Sequence, residues 1–133
     1  MEVRSLRLVD FRNYAEAYVE LGRGVNMVVG RNGQGKTNLL EAIYVLSAVG
    51  SYRAPNTAAL VRHEAERAVI RATAGSHGRE IEIAAEVRRA GGIRLLLNRV
   101  PLERARAMEG MLGAVLFSPE DLALVKGGPE ERR

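Results

Sequence analysis

At 133 residues with 47% apolar side chains, the chain has the size and composition of about one folded domain and is not a disordered tail. It holds no cysteine and two histidines, His63 and His77, which excludes a disulfide scaffold, a thiolate metal site, a cysteine nucleophile and a histidine-rich metal site together. The formal charge is +4 and 18 of the 20 basic residues are arginine, a balance open to phosphate or nucleic acid but equally produced by a coding bias toward Arg and Ala.

The opening residues alternate charge with apolar side chains and carry no secretory core, and no run of 18 apolar residues is present. A cytoplasmic protein with no membrane partner is expected. Val3 to Phe11 reads as a strand with Leu6 and Leu8 on one face, Arg12-Asn13-Tyr14 as a turn, and Ala17 to Leu21 as a second short strand. After Gly22-Arg23-Gly24, the apolar run Val25 to Val29 suits a fully buried strand. From Lys36 the period becomes helical, with Leu39, Leu40, Ile43 and Leu46 on the expected apolar face and Gly50 as the stop; Ser51 to Asn56 reads as loop. Ala68 to Thr73 can form a strand, and Ile81, Ile83, Ala85 and Val87 mark a half-buried one. Gly91-Gly92 turns the chain so that Ile93 to Leu97 pairs back as a hairpin. Glu103 to Met111 suits a short helix and Ala114 to Phe117 a short strand. Ser118-Pro119-Glu120-Asp121 has helix-start chemistry, and Gly127-Gly128 ends that helix. The charged end Pro129 to Arg133 carries no stop signal, so the chain reads as cut. The order of elements gives a mixed α/β fold.

Gly30-Arg31-Asn32-Gly33-Gln34-Gly35-Lys36-Thr37 matches the phosphate-binding loop G-x-x-x-x-G-K-[ST]. The glycines let the backbone turn tightly and aim its N–H groups at phosphate oxygens. Lys36 supplies a point charge to the β and γ phosphates, the Thr37 hydroxyl is the expected Mg²⁺ ligand, and the helix directs its positive end at the same anion. The motif follows an apolar run and opens a helical pattern, the context it requires. No apolar strand ending in Asp or Asp-Glu follows, so parts for cutting ATP are missing. Lys126-Gly127-Gly128-Pro129 lacks the serine of a signature loop and reads as a helix cap.

The residues then resemble a known family, the RecF/SMC-type ABC ATPases. Leu6 to Tyr14, Gly33 to Tyr44, Ser51-Tyr52-Arg53, Phe117 to Leu122 and Val125 to Arg133 are similar to its RecF branch, with Ala65 to Ala107 the least distinctive stretch. The resemblance implies an α/β P-loop NTPase of the ABC-ATPase head type, with 1–133 as the N-terminal part: a mixed β-sheet around the P-loop helix, without the Walker B acids or the signature motif. Such a part binds ATP and does not hydrolyse it. Gly30 to Thr37 become the ATP-binding segment, and Arg12 and Asn13 match a nucleotide-contacting turn of related heads. Glu120 and Asp121 fall near the family's Q-loop, though capping already explains them. The implied partners are DNA, single-stranded or gapped duplex, RecO/RecR-type mediators, and a second copy in an ATP-dependent homodimer. The implied role is gap repair and the SOS response.

Arg53, Arg62, Arg67, Arg88, Arg89, Arg94 and Arg99 are candidate phosphate contacts by charge alone, and Arg104 and Arg106, two apart on one possible helix, do not share a face. With 5% aromatic residues and no stacking row, backbone-phosphate contact is the expected mode. Three other readings stay open: a small nucleotide kinase, a transporter-type ABC subunit, and a basic binding module with a structural P-loop.

Overall fold

The computed structural model describes residues 2–29, 35–48, 57–76 and 78–102. Six strands and one long helix follow in order: β1 (Glu2–Phe11), β2 (Tyr14–Glu20), α1 (Lys36–Ala48), a 3₁₀ turn over Thr57–Leu60, β3 (Arg67–Ser76), β4 (Arg79–Arg88), β5 (Ile93–Leu97) and β6 (Val100–Pro101). The strands form one sheet in the order β2-β1-β3-β4-β5-β6, and every pairing among them is antiparallel.

Period-two alternation sends one side of each strand inward. Leu6 and Leu8 from β1, Ala68, Ile70 and Ala72 from β3, Ile83, Ala85 and Val87 from β4, and Leu95 from β5 form one buried cluster. Ala42, Val45 and Leu46 of α1 pack on it, and Phe11, Leu60 and Val61 complete it. The helix is thus laid on the sheet by apolar burial, worth about 25 cal/mol per Å² removed from water. The other face of β4 is also partly covered, since Ala84, between Arg71 and Leu96 of the flanking strands, is buried.

The expected strands β1 to β5 are present; β3 runs further than Ala68 to Thr73, and β6 carried no sequence signal. Two expectations are corrected. Val25 to Val29 is not a buried strand: it has no strand pairing among the described residues, and Val25 and Met27 are 95% and 83% exposed. Its apolar character asks for neighbours on both faces, and the antiparallel sheet places none there. On α1, Leu46 is buried and Leu39 and Ile43 pack against the core as expected, but Leu40 is about half exposed and Glu41, Ala42 and Val45 are buried instead. Apolar residues run almost all the way round this helix, so periodicity could not select the face. The readings at Gly50, Ser51 to Asn56, Glu103 to Met111, Ala114 to Phe117, Ser118 to Asp121 and Gly127-Gly128 lie outside the described residues. No helix among the described residues is long and apolar enough to cross a membrane.

Candidate nucleotide site

The site grows from the point where the chain enters α1. Lys36 and Thr37 are the first two residues of the helix, so the positive end of its first turn lies beside a lysine and a hydroxyl. Gly35 precedes them, and its carbonyl already accepts from the Leu39 N–H at 3.2 Å. Gly35 has φ +90°, a left-handed conformation that side chains disfavour. A Cβ there would also lie 2.8 Å from both Asn13 Nδ2 and Tyr14 Oη. Glycine is therefore required twice over, by conformation and by the close approach of the β1–β2 turn.

That turn is a clasp. Arg12 and Asn13 connect β1 to β2, flanked by the Phe11–Tyr14 pair, with Arg12 at φ +54°. Arg12, Asn13 and Tyr14, the first residue of β2, each hold one residue of the loop end or helix. Arg12 donates from Nε and Nη2 to the two carboxylate oxygens of Glu41 at 2.7 and 3.0 Å. Asn38 Nδ2 donates to Asn13 Oδ1 at 2.8 Å, and Tyr14 Oη donates to the Gly35 carbonyl at 2.9 Å. Gly35, Asn38 and Glu41 are spaced three apart, which puts them along one side of the helix. The turn therefore fixes the helix start in position and rotation.

The Arg12–Glu41 bond anchors the clasp. Glu41 is fully buried and Arg12 is 23% exposed. A buried carboxylate left without its partner costs about 3–5 kcal/mol, less where the partner is partly wet, so the pair strongly specifies this geometry. Burial also raises the Tyr14 phenol above its ordinary value.

A second wall faces the turn. The Arg62 N–H donates to the Asp10 carbonyl at 2.7 Å, the Arg12 N–H to the Leu60 carbonyl at 2.9 Å, and Arg62 pairs with Asp10 at 3.6 Å. The Arg89 guanidinium gathers the carbonyls of Ala65, Arg62 and Val61 at 2.7, 2.7 and 3.4 Å, which fixes this loop. A hollow lined by Asp10, Arg12, Asn13, Arg62, His63 and Glu64 lies between turn and loop. No group of three metal-ligating side chains occurs among the described residues.

Of the expected site residues, Arg12, Asn13, Gly35, Lys36 and Thr37 are brought together; Gly30, Arg31, Asn32, Gly33 and Gln34 lie outside the described residues, as do Arg53, Arg104, Arg106, Glu120 and Asp121. Glu41, Asn38 and Tyr14 were not singled out by sequence reasoning. Only Glu41 left a sign, an acid within an otherwise apolar helical run.

A family model described as RecF/RecN/SMC N terminal domain matches residues 2–123. The DNA replication and repair protein RecF of Nocardioides sp. is 50% identical over 133 residues, covering 100% of this chain and 32% of that protein. The chain spans about a third of the length of the curated relatives it matches. A solved structure of the recombination mediator protein RecF with ATP, of the RecFOR pathway, superposes with TM-score 0.85 at 32% identity, over 98% of this chain and 36% of that one. The SMC head domain from Thermotoga maritima, at 23% identity, shares the fold with TM-score 0.70 over 85% of this chain and 43% of that one.

Proposed function

Because the chain belongs to the RecF/RecN/SMC N-terminal domain family, we propose that it is the nucleotide-gripping N-terminal part of an ATP-dependent DNA replication and repair protein of the RecF type. The observation that carries this reading is the clasp of the Arg12–Tyr14 turn on Gly35, Asn38 and Glu41, which presets the start of the P-loop helix. The donor set suits a nucleotide triphosphate with its metal. By the motif, the backbone of Gly30 to Thr37 would hold the phosphates, Lys36 would supply charge to the β and γ oxygens, and the Thr37 hydroxyl is a hard oxygen ligand suited to Mg²⁺. ATP with Mg²⁺ supplies binding energy that can be spent on changing shape or assembly. On this reading Arg12 and Asn13 also contact the nucleotide; two guanidinium nitrogens of Arg12 hold Glu41, and among the described residues no acceptor for its Nη1 is seen.

In this reading the acids that cut ATP, and the signature motif that would face this P-loop from a second copy, belong to other parts of the protein. ATP binding then drives a DNA-bound homodimer in the cytoplasm. That dimer acts with RecO/RecR-type mediators to load recombinase at gapped DNA during the SOS response.

The test is nucleotide affinity of the intact protein and its Lys36→Ala variant, measured by calorimetry in Mg²⁺. Loss of a charge-assisted phosphate contact should weaken ATP binding by about tenfold or more, with an unchanged melting temperature in the absence of nucleotide. Equal affinity of the two proteins would remove the site assignment.

A further inference from the structure

The sheet face opposite α1 carries two arginine-on-arginine pairings between neighbouring strands. Arg7 of β1 lies directly opposite Arg71 of β3, and Arg67 of β3 lies directly opposite Arg88 of β4. Like charges in directly opposed positions destabilise a sheet, so each pairing needs an explanation. The first is relieved inside the fold. Arg7 pairs with Glu16 at 3.9 Å and stacks over the Tyr18 ring at 5.2 Å, and Arg71 pairs with Glu82 at 3.3 Å. The second is not relieved. Among the described residues neither Arg67 nor Arg88 has a carboxylate within 4.0 Å, and both are exposed.

The surroundings extend this positive end. Arg94 of β5, directly opposite Glu86, is exposed and has no carboxylate within 4.0 Å among the described residues. Arg89 spends N–H groups on backbone carbonyls, which orders the guanidinium, and among the described residues its charge has no counter-ion within 4.0 Å. Arg67, Arg88 and Arg89 line a shallow hollow whose one acid is Glu66. The β4–β5 turn beside it is held by the Arg88 N–H to the Gly92 carbonyl at 3.1 Å and the Thr57 hydroxyl to the Arg88 carbonyl at 2.6 Å. Among the described residues, Gly91 and Gly92 there have open space where a side chain would stand.

We propose that this end of the sheet, centred on the opposed pair Arg67 and Arg88, is a docking surface for the phosphate backbone of duplex DNA. It deepens the reading above and depends on it for the class of partner. The chemistry favours a polyanion. Exposed arginines hold a single anion weakly, whereas an array of phosphates engages several at once and gains from counter-ion release. Guanidinium forks suit phosphate oxygens. Among the described residues the patch carries no aromatic side chain, which favours contact to the backbone without regard to sequence over base stacking.

The experiment titrates a labelled duplex with the intact protein, in Mg-ATP, over a series of salt concentrations. It compares the parent with Arg67→Thr/Arg88→Thr and with Arg4→Thr. Threonine keeps the strand propensity, and Arg4, paired with Glu80 at the other end of the sheet, controls for bulk charge. The proposal expects three results together: the slope of log affinity against log salt falls by about two in the double variant, ATP affinity stays at the parent level, and the thermal midpoint is equal or higher because a like-charge pair is gone. Arg4→Thr should leave the slope unchanged. A parent slope retained in the double variant, or an equal fall in Arg4→Thr, overturns the surface while leaving the ATP-dependent DNA-binding role intact. A parent protein that binds no duplex under any salt overturns both.

Discussion

At the scale of single residues, Gly35 carries a constraint that the phosphate-binding motif alone does not explain. The motif requires glycine for the loop's own turn, and here the residue must also admit Asn13 and Tyr14 from a separate strand pair. Tyr14 contributes through its hydroxyl, which donates to the Gly35 carbonyl from a partly buried position. Tyr14→Phe should destabilise the fold by about 1 kcal/mol, the net worth of one hydrogen bond. The pH dependence has a definite sign. A phenol whose folded pKa is raised by burial keeps its proton above pH 10 longer than the unfolded chain does, so it stabilises below that pH. That stability is lost as pH rises through the folded value. Denaturant unfolding of parent and Tyr14→Phe from neutral to strongly alkaline pH should show the two curves converging above pH 10; a constant gap would deny Tyr14 this role. Glycine, lysine and threonine of this site were legible because their spacing is local. Glu41 was not, because its reason for being buried is Arg12, which lies 29 residues earlier in the chain.

At the scale of elements, the strands were readable where one face is apolar and the other charged, as in Ile81 to Val87, and unreadable where neither pattern holds, as in Val100–Pro101. The β5–β6 hairpin shows what such a short element demands. Its two-residue turn places Asn98 at φ +50° and Arg99 at φ +67°, the geometry of a type I′ turn, which favours Asn followed by Gly. Arginine at the second position is strained. What it gains is a contact with Glu82 Oε1 at 3.5 Å, an atom buried without a hydrogen bond and also approached by Arg71 at 3.3 Å. Because Arg99 is 80% exposed, that ion pair is worth little. Relief of left-handed strain, about 1–2 kcal/mol, should exceed the lost pair and the extra freedom of glycine when unfolded. Arg99→Gly is therefore expected to raise stability by about 0.5 kcal/mol, read as a higher denaturant midpoint at unchanged slope. A loss above about 1 kcal/mol would mean that the carboxylate of Glu82 needs both arginines.

At the scale of the whole molecule, the sheet and α1 close a core, whereas Val25 to Val29 stands outside it with its apolar side chains in water. A run of this composition asks to be buried, and the antiparallel sheet does not supply the partners for it. An exposed apolar run with unpaired backbone invites another chain to pair with it. The 133-residue chain by itself should therefore self-associate with rising concentration, seen by light scattering, and Met27→Lys with Val29→Lys should suppress this without lowering the thermal midpoint. Unaltered scattering in that variant would place the sticky surface elsewhere. The position of β1 in the sheet has a further result, for the order of assembly. On one side β1 meets β2 across a two-residue turn, and on the other it meets β3, which the chain reaches only after the nucleotide loop and α1. The hairpin β1–β2 and the meander β3–β4–β5 can each zip locally and early. Joining them closes a long loop and gives the slow step, since distant contacts form late. The clasp of the β1–β2 turn on the helix start spans only 21 to 29 residues, so the same rule lets the grip on nucleotide be set before the sheet is joined.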